Sequence, residues 1–444
     1  MSPSEAAPFS LNEYSKLTTF KQREPNQRVA ALNDQSGSQP TYAGLFRCIG
    51  PLCEDMCCGG WDIPVDKITY QRYRTFPAEK LGSLVAHFVS ESVDSPHDNL
   101  HAYIHRKQDG SCPFFGVDRL CGIQREYGAK LLSSTCSLYP RSLSNVDGQL
   151  EGSLSLSCPE AARAVLLDEY SVRKEGNLFS GQFRTDNVFE PGHRRGLERY
   201  FLPVRSLVIE LIRDRSRPLW QRLLMISAFC SRLDDVSDAG DSRPITQLLT
   251  SYEHALGRGP SVELDRLSPD VATRLAIAIT LSDERCRDRD CGQRFRNTFW
   301  DFVEGVGSVA SVGLDEDVHR FLQADRYYFI PFTERFPFIA ENYLLNYVYQ
   351  HLFPFGRAGS DRFITHSMFG ESTLLLTQFS WLTTLLIGTA GRYEDEFSQA
   401  HVVAVVQSFT RAVEHVPQVL EDIIVCAKRR KLDNLEGFAH LLRT

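Results

Sequence analysis

The chain has 444 residues, 42% hydrophobic and 24% charged. Those proportions are ordinary for soluble globular proteins and exclude wholly disordered, collagen-like and fibrous chains. With 49 Lys and Arg against 56 Asp and Glu the formal charge is −7. A mildly acidic chain lacks the basic footprint of a general nucleic-acid binder, so no nucleic-acid partner is expected.

The first residues, MSPSEAAPFSLNEYSK, have no basic stretch followed by an apolar core, so they do not read as a secretory signal. The expected location is cytoplasmic, where thiols stay reduced. Residues 1–40 are polar and read as a flexible leader. Residues 41–190 form a cysteine-rich region broken by Gly, Pro and Asp, as expected where ligated metal replaces part of a core. Helical pieces are predicted inside it at Ile123–Ser133 and after Pro159, where Pro suits a first helical turn.

Residues 191–444 read as a helical domain. Leu202–Arg213, Leu219–Leu233, Ala272–Leu281 and His401–His415 carry apolar residues three and four apart. No strand–turn–helix alternation supports a parallel α/β sheet. The predicted fold class is mainly α: an irregular cysteine-rich N-terminal region, then a helical domain. The uncharged run Ser372–Gly391 has the length of a membrane span, but half of it is Ser, Thr, Gln or Gly. It reads as a buried core helix, and no membrane partner is expected. The glycines of EGVGSVASVG read as a helix-ending loop. His97, His101 and His105 would share one face if they lay on a helix, a spacing that can hold zinc; an exposed helix with ring stacking is the simpler reading.

Eight of the 12 cysteines fall between Cys48 and Cys158. Cys48, Cys53, Cys57 and Cys58 have the spacing C-x4-C-x3-C-C; Cys112, Cys121, Cys136 and Cys158 follow. Thiolates are soft, anionic ligands for zinc or iron–sulfur clusters. Ligands close in sequence cost little loop-closure entropy to gather. All eight are candidate metal ligands. Adjacent Cys57 and Cys58 are expected to point apart and not to serve one ion together. Cys230 and Cys426 read as core, and Cys286 and Cys291 as exposed residues of a charged stretch.

The order of motifs resembles the flagellin lysine-N-methylase family. The matches are Phe46, Cys48, Cys53, Cys57, Cys58 and Trp61; then Cys112–Pro113–Phe114, Cys121, Ile123 and Gln124; then Thr135–Cys136 and Tyr139–Pro140–Arg141; then Ser155 to Arg163. Glu341–Asn342–Tyr343 and Phe353–Pro354–Phe355 match more weakly. The first seven cysteines also resemble the zinc- or iron-chelating CxxCxxCC pattern, whose members share no common reaction. The resemblance implies transfer of a methyl group from S-adenosylmethionine to surface lysines of flagellin, with a cysteine-bound [4Fe–4S] cluster. The ammonium must lose its proton before it attacks. Glu54, Asp55, Glu160 and Glu341 are candidate bases, unranked. Neither a radical C-x3-C-x2-C motif nor a Gly-rich nucleotide turn is present, so the catalytic residues and the donor site are not identified. The alternatives are a zinc- or iron-bearing interaction module without catalysis and a thiol-based metal or redox protein.

Overall fold

In the computed structural model the described residues are 39–40, 42, 46–75, 79–92, 100–147, 149–172, 174–175, 187–189, 197–237, 243–307, 314–356, 365 and 367–444. All but two residues of the expected leader, and His97, lie outside them.

The helical half follows its apolar periodicity. The predicted helices appear as Phe201–Arg213, Leu219–Ser237, Val271–Arg287 and Gln399–Phe409, the last running on as a π-helix over Thr410–Glu414. Pro159 opens the helix Pro159–Leu166 as expected. The long uncharged run lies in Met368–Tyr393, the axis of the molecule, around which the helices Leu219–Ser237, Gln293–Val306, Leu314–Ala324 and Pro417–Arg429 pack. By length and composition this helix could cross a membrane, but 89% of its apolar window is buried inside the protein.

Several of its polar residues bond to its neighbours, while the buried Thr377 Oγ1 and Gln378 Oε1 find no partner among the described residues. Arg274 donates to Thr384 Oγ1 at 2.8 Å and to Thr383 Oγ1 at 2.9 Å, and Ser380 Oγ donates to the Leu441 carbonyl at 2.6 Å. A buried polar group is tolerated when it is paired in this way. Its glycines let another helix come close. A Cβ on Gly305 would lie 1.8 Å from the Gly388 carbonyl oxygen. Gly305 is therefore a contact point inside Gln293–Val306, and only Gly307, at φ 105°, ends that helix.

The N-terminal region contains more strand than its sequence led us to expect. Ile63–Val65, Ala102–Ile104 and Val89–Glu91 form an antiparallel sheet with Ala102–Ile104 in the middle. His101 and His105 thus flank a strand, which removes the shared helical face. Arg141–Val146 and Gln149–Leu154 form a hairpin, extended by Asn187–Phe189 in parallel. The Asp147–Gly148 pair in the sequence is a favoured hairpin-turn dipeptide, but the flanking apolar residues do not alternate. The helix predicted at Ile123–Ser133 is broken instead. Gly128, at φ 81°, stops Gly122–Tyr127, and a short 3-10 turn follows.

Two large apolar cores result among the described residues, beside a small cluster of Val146, Phe201 and Leu352. The smaller gathers Ile63, Val65, Tyr73, Cys112, Phe114 and Ile123. The larger runs from Phe46 and Leu154–Val172 through the C-terminal helices. A buried pair fastens the hairpin to the first of those helices. Arg205 reaches Glu151 with both terminal nitrogens, at 2.5 and 2.6 Å, and stacks on Phe201 and Tyr349.

Candidate functional site

The cysteines collect on the smaller core and along its border with the larger one. Cys112 lies within the smaller core, and Cys58, Cys121 and Cys136 pack against it. Backbone pairing makes this possible. Gly59 bridges Ser111, Gly60 N donates to the Gly110 carbonyl at 3.0 Å, and Phe115 bridges Cys121. Asp66 sets the segment that carries Cys136 in place. One carboxylate oxygen caps the helix Lys67–Thr75 through Thr69 N at 2.9 Å; the other accepts from Ser134 N and Oγ, both at 2.9 Å, at the start of the turn that carries Cys136. Cys48, Cys53 and Cys158 lie on the other side, with Cys53 and Cys57 within electrostatic reach of Cys158.

Cys57 and Cys58 do not point apart. The turn leading into Gly59 and Gly60 brings their sulfurs to 3.6 Å. The hydrogen bond from Cys58, opposed by desolvation and helped by the Arg411 charge, lowers the Cys57 pKa to about 7. The same hydrogen bond raises that of Cys58. Burial, as the leading cause, lifts Cys112 to about 11 and Cys136 to about 12, with neighbouring thiols adding to both. Packed thiols that oppose one another's ionisation are the arrangement a metal reverses, because coordination removes the protons outright.

All 12 cysteines are free thiols. Among the described residues, no three Cys, His, Asp or Glu side chains already form a cage for one ion. Two features nonetheless fit a thiolate-bound group. The donors are soft thiols gathered in one neighbourhood. Among the described residues the buried Tyr73 hydroxyl has no hydrogen-bond partner, and it lies within electrostatic reach of Cys136, Cys121 and Cys112. An orphaned buried donor costs about 1–3 kcal/mol unless something accepts its hydrogen bond. A cluster sulfide or ligated thiolate is such an acceptor.

The C-terminal half clamps this region. Arg411 Nη1 reaches Asp55 Oδ2 at 2.7 Å and the Met56 carbonyl at 2.9 Å, and its other terminal nitrogen bonds to the Gly59 carbonyl. Gln407 donates to Asp55 at 2.6 Å and to the Ser157 carbonyl at 2.9 Å. His415 Nε2 lies 2.9 Å from Ser157 Oγ. None of these three was singled out from sequence, because their partners lie some 250 to 350 residues away.

The motif residues bind one another. Arg141 donates to the Phe46 carbonyl at 2.8 Å and covers the Phe46 ring; Tyr139 bonds Ser157 at 3.0 Å. Glu341 accepts from Arg215 at 2.7 Å and Arg222 at 2.8 Å, Asn342 donates to the Asp168 carbonyl at 2.9 Å, and Tyr343 donates to Glu414 at 2.8 Å. The candidate bases are therefore committed to structure. Glu54 and Glu160 hold Arg163, Asp55 holds Arg411, and Glu341 is buried between two arginines. Cys291 is buried rather than exposed, 4.0 Å from Cys286.

A polar cavity of about 770 Å³ opens between the two halves, beside the cysteine loop. Asp62, His105, Arg106 and Lys107 line one side, and Asp288, Arg289, Asp290 and Val416 the other. His105 Nδ1 lies 2.9 Å from Asp62 Oδ2, and His105 Nε2 lies 2.6 Å from Ser90 Oγ. The carboxylate fixes Nδ1 as the protonated nitrogen and leaves Nε2 to accept from the serine. This is a proton acceptor with an orienting partner, and it opens on a space large enough for a small ligand.

Residues 205–441 match the family model described as the FliB lysine N-methylase C-terminal domain. The chain belongs to this family. It is 26% identical over 252 residues to lysine-N-methylases of Salmonella typhimurium LT2 and Salmonella choleraesuis, an alignment covering 55% of this chain and 60% of each relative. It is 35% identical over 133 residues to the flagellar biosynthetic protein FliU of Salmonella muenchen, covering 30% of this chain and 77% of that protein. The chain thus spans less than two thirds of the length of the two lysine-N-methylases. No solved structure matches. The family model coincides with the helices that supply Arg411, Gln407 and Glu341.

Proposed function

We propose that this protein is a lysine N-methylase acting on flagellin, with S-adenosylmethionine as donor and an iron–sulfur cluster on its cysteines. The observation that carries the reading is the family match across the helical half. The flagellar name of one relative favours flagellin as the acceptor, and the clustered free thiols favour the cofactor.

The cavity beside the cysteine loop is the proposed meeting place of donor and acceptor. There the lysine ε-ammonium would lose its proton to His105, which lines the cavity, while Asp62 holds Nδ1 and stabilises the imidazolium. The freed amine attacks the donor methyl carbon; the carbon–sulfur bond breaks and its electron pair returns to sulfur. Arg411 and Gln407 hold the Asp55–Gly59 loop at the edge of this space. Cys58, Cys112, Cys121 and Cys136 form the proposed ligand set, with Tyr73 donating to it. Bound there, a cluster supplies redox chemistry; zinc would supply structure alone.

The test is mass spectrometry of flagellin co-expressed with and without this protein, paired with iron and sulfide analysis of anaerobically purified material. Lysine-borne methyl increments and co-purifying iron are expected. Unmodified flagellin would remove the activity. Stoichiometric zinc without iron would remove the cluster and leave the methylase reading in place.

A further inference from the structure

A second cavity, of about 460 Å³, lies away from the cysteines. Five rings, Tyr327, Tyr328, Phe332, Phe336 and Phe397, line it together with Arg335, whose guanidinium lies over Phe336 and leaves the other rings to a ligand. Its rim carries Glu394 and Asp395. Both carboxylates are exposed, and neither makes an ion pair among the described residues. Phe332 and Phe397 meet edge to face at 4.9 Å, and Phe332 and Phe336 stand 5.1 Å apart, so the rings form one connected wall.

The local backbone is unusual on both sides. Tyr327 and Tyr328 ride on a π-helix, Asp325–Phe329, inserted before the helix Ile330–Arg335. Single π-turns cost regular helical bonding and recur at functional sites. Across the cavity, Glu394 sits at φ 50°, ψ −123°, a conformation that costs a non-glycine residue of order 1–3 kcal/mol. Tyr327 is 60% exposed, which is unusual for so large a ring. Two of the rings already accept cations. Arg335 lies over Phe336 at 5.0 Å and Arg326 over Tyr327 at 5.7 Å. Partial desolvation, then the charges of Glu394 and Asp395, raise the Tyr328 hydroxyl pKa, which places those carboxylates beside the ring.

Aromatic walls with carboxylates at the mouth are complementary to one chemical group, a cation clothed in carbon. Ring faces attract alkylammonium, and methylation makes that cation larger and easier to desolvate. A bare ammonium is strongly hydrated and gains less. We propose that this cavity binds the methylated lysine side chain of a protein, its rings holding the N-methyl groups and Glu394 and Asp395 balancing the charge. The inference rests on the methylase reading for its occupant. Gln399 lines this cavity, and Arg411, on the continuation of the same helix, holds the cysteine loop. At ~1.5 Å per residue the two places are roughly 18 Å apart. A lysine already methylated is thus held while another is presented to the cysteine site, and the substrate stays tethered between turnovers.

The test uses the full chain and calorimetric titration with Nα-acetyl-lysine amide carrying zero to three ε-methyl groups. Affinity should rise with methylation, about tenfold or more across the series. Tyr328→Ala and the double variant Glu394→Gln, Asp395→Asn should each weaken the methylated probes several-fold, with unchanged circular dichroism and unchanged methylation of a single-lysine peptide. Equal binding of methylated and bare probes, equal binding of acetyl-arginine amide, or unaltered binding by both variants overturns the inference. A wild-type protein that methylates flagellin but binds no probe refutes the cavity alone. One that binds the methylated probes but methylates nothing refutes the methylase reading alone.

Discussion

Arg411 and Asp55 stand 356 positions apart in the chain, and their side chains meet at 2.7 Å. Asp55 lies between Cys53 and Cys57, and Arg411 lies on the π-helical end of Gln399–Glu414. The contact makes the geometry of the cysteine loop depend on the helical half. The same guanidinium reaches two loop carbonyls, so it acts as a three-point clamp.

Arg411→Met should loosen that clamp and raise the Cys57 pKa above about 7, because the Arg411 charge is one of the causes that lower it. In metal-free protein, the midpoint of Cys57 alkylation against pH should move upward, read peptide by peptide in a mass spectrometer. An unmoved midpoint would mean that the bond from Cys58 alone sets the thiolate.

Asp66 is held below its ordinary value. Burial alone would raise its pKa, but donors from Ser134 and Thr69 prevail. A depressed carboxylate stabilises the fold above its unfolded pKa, and that stability is lost as pH falls through the folded pKa. Asp66→Asn should therefore cost about 1–3 kcal/mol at pH 7. The gap to wild type should close below about pH 4, the ordinary Asp range. Thermal melts from pH 3 to pH 7 read both limbs.

Gly388→Ala should destabilise the helical core by about 1–3 kcal/mol. The new Cβ would fall 2.3 Å from the ring of Phe302, itself fully buried, and 3.0 Å from its backbone. Urea unfolding with an unchanged slope and a lower midpoint is the expected record. An unaltered midpoint would show that the two helices can separate freely.

Arg205→Met leaves the Glu151 carboxylate buried without its partner and should cost about 3–5 kcal/mol. Adding Glu151→Leu should recover most of that loss, since replacing both members of a buried pair with apolar groups can be nearly neutral. Recovery separates a cost of desolvation from a need for the pair itself.

His105→Gln should lower the methylation rate by about 10²–10⁴-fold if His105 takes the acceptor proton. Iron content and the melting temperature should hold, because His105 borders the cavity at the surface of the sheet. An unchanged rate would return the search for the base to the other cavity residues.

The sequence alone determined the elements whose signals are local. Apolar residues three and four apart gave Phe201–Arg213 nearly to the residue and the start of Val271–Arg287, though not its last two turns, and Pro159 marked a helix start. Cysteine spacing marked a region, and the motif order marked a family that the match over 205–441 establishes. What tertiary structure decided are the relations between distant residues. The turn at Gly59–Gly60 puts two adjacent thiols together, Gly305 serves a helix crossing, and Glu341 neutralises arginines 119 and 126 positions away. The Asp62–His105–Ser90 chain exists only because three short strands align. Periodicity reports which face of an element is buried. It does not report what that face meets, because pairing across a core depends on which elements pack together and in which register.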